Sequence, residues 1–398
     1  MINVLHLSAG NLYGGVETLL VTLARERQLC PAMRSEFALC FEGRLASELA
    51  AAGAQVHLLG PVRTSRPHTV LRARRRLGLI LGTSRFQVAV CHSPWPLAVF
   101  GPAVRRAGIA LVGWRHDAYN GFHWLEWWAS LTPPDLMICN SRYTETTYRR
   151  FAPKVRTAVV YCPRLPAVAR PSNAARVEVR AEMSTPPGDV VIIQVSRMQE
   201  LKGHITQIGA LGALRELPGW TLWVAGGAQR EHERRYLERL KALARDLGIA
   251  ERVRFLGERQ DVAKLLAAAD IYCQPNTGPE GFGLAFIEAL YAGLPVVTSA
   301  IGGALEIVDD TCGRLVKPGD PEGLGAVLRN LIADAALRER LGAAGPARAH
   351  ALCDPQARLE DIAHLLESVG RARSAGRPDA LSGPGASPGS ALQPPLAH

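Results

Sequence analysis

Short apolar runs alternate with amphipathic segments along most of this 398-residue chain. Runs of this kind are typical of buried strands. In the first part of the chain they lie at residues 2–8, 36–41, 55–59, 87–91, 110–114, 136–140 and 158–161. Helical periodicity lies between most of them, beginning with residues 16–27. The pattern predicts a parallel, doubly wound α/β sheet.

A proline-containing stretch interrupts this rhythm, and the alternation then begins again. Residues 166–188 show little apolar periodicity, so we interpret them as an interdomain linker. Beyond them, strands are predicted at residues 190–195, 221–225, 253–256, 271–274 and 296–298. The chain is therefore expected to form two Rossmann-like domains, 1–165 and 189–352. A ligand would bind in the cleft where the carboxyl ends of the two sheets meet.

The C-terminal part of the chain changes character twice. Residues 353–370 predict a final helix. Residues 371–398 are rich in Gly, Pro, Ser and Ala and lack apolar periodicity. Such a composition cannot bury enough apolar surface to offset the entropy of ordering, so it predicts a disordered tail.

The most informative segment is P-E-G-F-G-L-A-F-I-E at residues 279–288. A glycine-broken turn leads into a short helix, and its backbone can approach a ligand closely. Free N–H groups at the helix start favour an anion. Glu280 and Glu288 bracket the turn and the first helical turns, which fits a central diphosphate with a hydroxyl-rich sugar at each end. The turn and the helix start comprise Gly281, Phe282, Gly283 and Leu284.

Three other strand-end loops carry candidate chemistry. Arg197 and Lys202 follow the run at 190–195, where two cations are well placed to face a diphosphate. Gly14-Gly15 precedes a helix start, which is a natural place for an anion. His116 follows the run at 110–114, and Asp117 beside it would help to set its tautomer. The competing histidine, at the end of the preceding strand, is His92.

These segments resemble glycosyltransferase family 4, a family of retaining glycosyltransferases with the GT-B fold. Residues 279–288 resemble the family's E-x7-E signature. Residues 196–204 resemble its G-R-L-x-x-x-K-G element, with Ser196 and Met198 in place of Gly and Leu. The resemblance runs from residue 2 to about residue 345. It implies two Rossmann-like domains facing a central cleft, with the first on the acceptor side and residues 353–370 crossing back onto it.

The resemblance also implies roles for individual residues. Glu280 would lie by the donor sugar and Glu288 would hold the ribose hydroxyls. Arg197 and Lys202 would hold the donor phosphates, and His116 would reach toward the donor sugar from the first domain. Backbone around the nucleotide would come from Gly14, Gly15, Gly226, Gly227, Gly281, Phe282, Gly283 and Leu284. The residues expected to act in catalysis are Glu280, His116, Arg197 and Lys202.

The implied activity is transfer of a sugar from a nucleotide-diphosphate sugar to a hydroxyl acceptor, a saccharide or a lipid-linked saccharide. Such reactions build polysaccharides, glycolipids and other glycoconjugates. The chain has no D-x-D motif and no clustered metal ligands around the proposed cleft, so we expect neither a metal nor a cofactor. Two alternatives stay open: a sugar-nucleotide epimerase or hydrolase of the same fold, and a non-catalytic GT-B partner subunit.

The net charge and the cysteine pattern indicate which binding partners and which cellular compartment suit the protein. The formal net charge is +10, and only five of the 46 basic residues are Lys. A basic balance suits nucleotide diphosphates, anionic acceptors or a membrane surface, whereas no nucleic-acid-binding motif is found. The eight scattered Cys predict buried free thiols in a reducing cytosol. No signal peptide is evident, so we expect a cytoplasmic protein, free or at the inner face of the membrane.

Two stretches concern the acceptor side. Residues 63–85 hold seven Arg with apolar residues interleaved. They predict a solvated basic helix or a patch that contacts anionic lipid. Trp124, Trp127 and Trp128 share one face of a predicted helix. We interpret them as an aromatic core stripe, with acceptor stacking or contact with the membrane interface as the alternative.

Overall fold

The first half of the chain forms a parallel sheet. The computed structural model describes residues 1–375 except 12–13, 84, 120, 122 and 167–172. The strands are β1 (Ile2–Ser8), β2 (Met33–Leu39), β3 (Val56–Leu58), β4 (Val88–His92), β5 (Ala110–Arg115), β6 (Leu136–Cys139) and β7 (Thr157–Val159). They pair in the order β3-β2-β1-β4-β5-β6-β7, all parallel.

The second half forms another parallel sheet with the same winding. Its strands are β8 (Val190–Val195), β9 (Trp220–Ala225), β10 (Val253–Gly257), β11 (Ile271–Gln274), β12 (Val296–Ser299) and β13 (Gly313–Val316). They pair in the order β10-β9-β8-β11-β12-β13. Strand β13 was not predicted, because Gly313 and Arg314 leave too short an apolar run for a periodicity argument.

Both sheets therefore have the doubly wound topology that the apolar pattern predicts, and the α/β fold class is confirmed. In each sheet the strand order reverses at one point, between β1 and β4 in the first and between β8 and β11 in the second. Adjacent loops diverge there and leave a crevice at the carboxyl ends of the strands. The loops after β1, β5, β8 and β11 carry most of the candidate site residues.

Helices cover both faces of each sheet. In the first half they are α1 (Gly15–Arg25), α2 (Arg44–Ala51), α3 (Pro67–Leu81), α4 (Pro94–Arg106), α5 (Trp124–Ser130) and α6 (Arg142–Phe151). In the second half they are α7 (Asn173–Glu182), α8 (His204–Gly212), α9 (Glu231–Asp246), α10 (Val262–Ala268), α11 (Leu284–Tyr291), α12 (Ala304–Ile307), α13 (Pro321–Ala333), α14 (Ala335–Cys353) and α15 (Pro355–Ser374).

Three apolar clusters hold these layers together. One lies between the first sheet and helices α3 to α5, and another between the second sheet and helices that include α8, α9 and α13. The largest joins the other faces of the two sheets to α1, α11 and α15. Because this cluster contains residues of both halves, burial of apolar surface favours their association.

The predicted linker contains a helix. Helix α7 lies within residues 166–188, and the periodicity argument missed it because none of its side chains is fully buried. Ion pairs contribute to the attachment of this helix. Arg176 and Arg180 both donate hydrogen bonds to the Asp270 carboxylate, at 2.8 and 2.6 Å. The connection between the halves is therefore partly built into the second domain.

The C-terminal helix extends beyond its predicted end. Helix α15 continues to Ser374, four residues past the predicted end at residue 370, because an Arg371–Glu367 ion pair of 2.6 Å and a Ser374 hydroxyl bonded to the Gly370 carbonyl support its last turn. Its buried face packs against β1, β4 and β5 of the first sheet. Most of the predicted tail, residues 376–398, lies outside the described residues.

The surface helices differ from expectation in one respect. Trp124 and Trp127 on α5 are 51% and 53% exposed, so the core-stripe interpretation is wrong for both. Helix α5 buries Ala129, and Leu125 and Trp128 are partly buried against the core. Trp124 and Trp127 lie outside these core contacts, so their rings are exposed to water. On α3, Arg72, Arg75 and Arg76 are exposed, as a solvated basic helix requires.

All eight cysteines are free and buried, as the sequence predicts. Within the described ranges, no helix combines the length and the apolar character needed to cross a membrane.

Candidate active site

The loop at residues 279–283 connects β11 to α11 and reaches the first domain. Gly283 caps α11 with a left-handed φ of 110°, which a residue with a side chain rarely adopts. Gly281 lies so close to the first domain that a Cβ atom there would stand 2.1 Å from the His116 carbonyl oxygen. A glycine at this position lets the two domains meet, and it brings Glu280 and His116 to the same cleft.

Glu280 is held by three donors. Lys202 Nζ donates to its Oε1 at 2.8 Å, and the amides of Gln274 and Asn276 donate to its Oε2 at 3.1 and 3.0 Å. Burial raises the pKa of this carboxyl, but the Lys202 charge and the three hydrogen bonds outweigh burial and lower the pKa below its ordinary value. Glu280 is therefore an oriented carboxylate, not a proton donor.

The two predicted cations have different environments. Lys202 lies in the turn between β8 and α8 and is paired with Glu280. Arg197 lies in the same loop, is half-buried, and makes no ion pair with any residue that the structure describes. Burial raises the pKa of the Glu17 carboxyl in the first domain, and the Arg197 charge partly opposes that rise. Arg197 is the better placed of the two to receive an added anion.

Glu288 lies on α11 and has a partner that sequence reasoning missed. Arg164 forms an ion pair with Glu288 Oε1 at 2.5 Å. Burial raises the pKa of Glu288, and Arg164 partly opposes that rise. Arg164 follows β7, and its backbone N–H is bonded to the Cys353 carbonyl. Its Nε is buried and has no hydrogen-bond partner among the described residues. The sequence did not indicate this role, because Arg164 is one of many Arg residues and lies in a proline-containing stretch without a recognisable motif.

The first glycine loop meets the start of α11. A Cβ atom on Gly15 would stand 3.4 Å from Leu284 Cδ1. Gly14 has a φ of −171°, an extended conformation open to any residue, so its glycine is not required by backbone geometry. The Phe282 side chain is buried and stacks on Tyr161, so only its backbone is available to a ligand. The predicted contacts of these residues with a nucleotide stay predictions.

Gly226 and Gly227 border the same edge of the second sheet. They follow β9, and the Gly226 N–H is bonded to the Gly257 carbonyl. A Cβ atom on Gly226 would stand 1.8 Å from the Ser196 carbonyl oxygen, beside Arg197. The loop after β9 therefore packs against the loop that carries both cations.

His116 reaches the cleft, whereas His92 lies behind it. His92 is only 2% exposed and its Nδ1 is 3.2 Å from His116 Nε2. Burial, together with Arg115, lowers the pKa of His116 to about 3, so its ring is neutral near pH 7. The structure thus favours His116 over His92 as the histidine that faces a ligand.

The two domains are joined by direct hydrogen bonds at this cleft. The hydroxyl groups of Ser141 and Thr144, at the start of α6, donate to the Gly281 carbonyl at 2.5 and 3.2 Å. Glu306 on α12 accepts from the backbone N–H groups of Arg142 and Tyr143, so a second-domain carboxylate occupies the N-terminus of α6. The site residues are therefore held in one closed arrangement.

The potential metal-ligating side chains are dispersed in the described part of the chain. Within the part of the chain that the structure describes, His, Cys, Asp and Glu side chains nowhere form a group of three or more that could hold a metal ion. Arg197, Lys202 and the N-terminus of α11 place positive charge near the cleft.

Two doubly wound domains that meet at the carboxyl ends of their strands define a GT-B glycosyltransferase fold. Residues 13–164 match the family model described as "Glycosyltransferase Family 4", and residues 176–348 match the one described as "Glycosyl transferases group 1". The chain belongs to glycosyltransferase family 4, and it is a glycosyltransferase.

Individual relatives agree with this assignment. The chain is 30% identical, over 75% of its length and 81% of the relative's, to the GDP-mannose-dependent alpha-(1-6)-phosphatidylinositol monomannoside mannosyltransferase of Mycolicibacterium smegmatis. It is 34% identical to the lipopolysaccharide core biosynthesis glycosyltransferase LpsE of Rhizobium meliloti, over 42% of the chain and 46% of that protein. The crystal structure of Anabaena HepE in complex with UDP-glucose superposes with a TM-score of 0.81 at 24% identity, over 92% of this chain and 100% of that one.

Proposed function

We propose that this protein transfers a sugar, with retention of anomeric configuration, from a nucleoside-diphosphate sugar to a hydroxyl group of a lipid-linked or saccharide acceptor. One arrangement carries the proposal: Arg197, a half-buried cation without an ion pair among the described residues, lies beside the oriented Glu280–Lys202 pair where the domains meet. A half-buried cation favours an anionic ligand. The N-terminus of α11 adds about half a positive charge nearby.

The chemistry assigned to the site is breakage of the bond between the sugar's anomeric carbon and the diphosphate oxygen. The acceptor oxygen forms the new bond from the face that the diphosphate leaves. The acceptor proton passes to a departing phosphate oxygen, so no enzyme base is needed. Arg197 and the α11 N–H groups stabilise the charge that develops on the phosphate. Glu280 and His116 orient the sugar, and Glu288 accepts from the ribose hydroxyls.

Lys202 contributes differently from what the sequence suggests. Its charge is already offset by Glu280 at 2.8 Å, so it adds little net positive charge to the diphosphate. We infer that it holds Glu280 ionised and oriented while one of its remaining protons is available to a phosphate oxygen. Charge stabilisation without a metal ion then depends mainly on Arg197 and the helix N-terminus.

The acceptor proposal comes from the relatives and from one surface. The Mycolicibacterium relative is named as acting on a phosphatidylinositol mannoside, a glycolipid. In this chain, Trp124, Trp127 and Leu131 on and beside α5 are exposed, and so are Arg72 and Arg75 of α3, and both helices pack against α4. Exposed aromatic side chains together with cations are the combination that binds the interface of an anionic membrane. We propose peripheral contact with such a membrane through this surface.

A donor screen with paired variants tests the proposal. Purified protein is titrated with UDP-, GDP- and ADP-sugars, and products formed with a glycolipid acceptor are analysed by NMR for anomeric configuration. Glu288→Gln should weaken donor binding, whereas Glu280→Gln should mainly lower turnover. A product of inverted configuration would overturn the retaining assignment. Donor hydrolysis that is unaffected by any acceptor would identify a hydrolase instead.

A further inference from the structure

Behind His116 a line of buried polar side chains crosses the first sheet. His116 Nε2 is 3.2 Å from His92 Nδ1, and His92 Nε2 is 2.9 Å from His6 Nδ1. His6 Nε2 is in turn 3.1 Å from Ser35 Oγ. His6 and His92 are 0% and 2% exposed, and Ser35 is half-buried. Four side chains from four different strands or strand ends thus form one hydrogen-bonded chain.

The rings are aligned end to end. For His6 and His92 the ring centroids are 5.2 Å apart and the bonded nitrogens 2.9 Å apart. For His92 and His116 the two distances are 5.5 and 3.2 Å. The difference is the same in both pairs and corresponds to two ring radii, so the nitrogens lie on the lines joining the ring centres. Phe37 stacks on His6, and Trp114 stacks on both His92 and His116, which fixes the rings in place.

All three rings are neutral near pH 7. Burial lowers the pKa of His6 to about 3, and burial followed by the neighbouring His6 and His116 lowers that of His92 well below its ordinary value. A neutral imidazole has one N–H donor and one nitrogen acceptor. His6 and His92 must therefore each donate to one neighbour and accept from the other, whereas His116 takes part through Nε2 alone.

Only two arrangements satisfy every bond. If Ser35 donates to His6 Nε2, then all three rings carry their proton on Nδ1. If His6 donates to Ser35, then all three carry it on Nε2. A mixed set places two N–H groups or two lone pairs face to face in a buried site, and should be about 5- to 150-fold less populated.

We propose that His6 and His92 are positioning residues that impose one shared tautomer on His116, and that Ser35 on β2 terminates this hydrogen-bonded line. His116 Nδ1, the nitrogen outside the chain, has no hydrogen-bond partner among the residues that the structure describes. In one arrangement it donates to a sugar hydroxyl, and in the other it accepts from one. The hydrogen-bonded line thus couples the orientation of a bound sugar hydroxyl to the tautomers of all three rings. This functional consequence rests on the proposed function, whereas the tautomer coupling does not.

Nitrogen-15 NMR of the full-length protein with labelled histidine tests the coupling without any activity assay. Two-bond proton–nitrogen correlations distinguish the Nδ1–H from the Nε2–H tautomer of a neutral ring. We expect His6, His92 and His116 to show the same tautomer. We also expect Ser35→Ala to shift the His116 nitrogen signals. Ser368→Ala, which removes a half-buried hydroxyl that donates to the Leu365 carbonyl, should leave them unchanged. Mixed tautomers, or His116 signals that ignore Ser35→Ala, would overturn the proposal.

Kinetics then separate positioning from packing. His92→Phe keeps an aromatic ring between His6 and His116 but removes both hydrogen bonds. His92→Gln keeps a group that can donate and accept at once. We expect His92→Phe to lower kcat/KM for the donor by about two- to tenfold, and His92→Gln to restore most of it. Equal losses in both variants, with unchanged His116 tautomer signals, would show a packing role only. If the tautomers were coupled in a protein without transferase activity, the proposed function would be refuted, but the proposed tautomer coupling would stand.

Discussion

Replacing Lys202 by alanine should destabilise the protein by more than its position in a surface cleft suggests. The substitution removes the only cation that contacts Glu280 among the described residues and leaves the carboxylate with two amide donors. The two side chains are only 15% and 22% exposed, so water replaces the lost partner poorly. A hydrogen bond to a charged group contributes about 1.5–3 kcal/mol, and we expect the lower part of that range because some water contact remains.

A matched control exists on α9. Lys241 and Glu238 form an ion pair of 2.7 Å, almost the length of the Lys202–Glu280 pair, but their side chains are 38% and 67% exposed. Exposed pairs of this spacing contribute about 0.2–0.5 kcal/mol. The free energies of unfolding of Lys202→Ala and Lys241→Ala, measured by urea denaturation, should therefore differ by about 1 kcal/mol or more. Equal effects would show that burial does not strengthen the Lys202 pair.

The pH dependence gives a second readout of the same pair. The pKa of Glu280 is lowered in the folded protein, so the pair's stabilisation is present above the ordinary carboxyl pKa of 4.5 and is lost as the pH falls through the folded value. The stability difference between wild type and Lys202→Ala should narrow below that pH. A difference that stays constant from neutral to acidic pH would contradict ionisation of Glu280 as its source.

The remaining predictions concern other parts of the chain. Arg164→Ala should raise the pKa of Glu288 further and lower the free energy of unfolding by about 1.5–3 kcal/mol. The control Arg371→Ala, at an exposed ion pair, should change the free energy of unfolding by less than about 0.5 kcal/mol. Equal effects of the two substitutions would contradict the role of Arg164. Removing residues 376–398 should leave the melting temperature unchanged because α15 ends at Ser374, and a clear drop would show that they pack. Transfer should survive excess EDTA, and its loss on chelation with recovery in manganese would refute the metal-independent proposal. Reversing the charges of Arg72 and Arg75 should reduce sedimentation with anionic liposomes while leaving donor binding unchanged, and no change in sedimentation would remove this surface from membrane contact.

The apolar pattern was sufficient for the strands but not for every helix. Strands β1, β8 and β11 begin and end where the sequence predicts, because a strand buried on both faces is mostly apolar. Helix α7 was missed because none of its side chains is fully buried, and ion pairs with Asp270 contribute to its attachment. Trp124 and Trp127 have the spacing of a core stripe, yet spacing does not reveal which face of a helix another element covers.

For the site, the sequence by itself predicted two candidate loops: Glu280 with its glycines, and Arg197 with Lys202. Each is a local pattern that follows a strand, and parallel strands place their following loops at one edge of the sheet. Tertiary structure alone decided the partners, since Lys202 with Glu280, Arg164 with Glu288 and the line from His116 to Ser35 join residues between 24 and 124 positions apart in the chain. Hydrogen bonds and ion pairs act over a few ångströms of space, and distance along a sequence carries no record of which side chains folding brings that close.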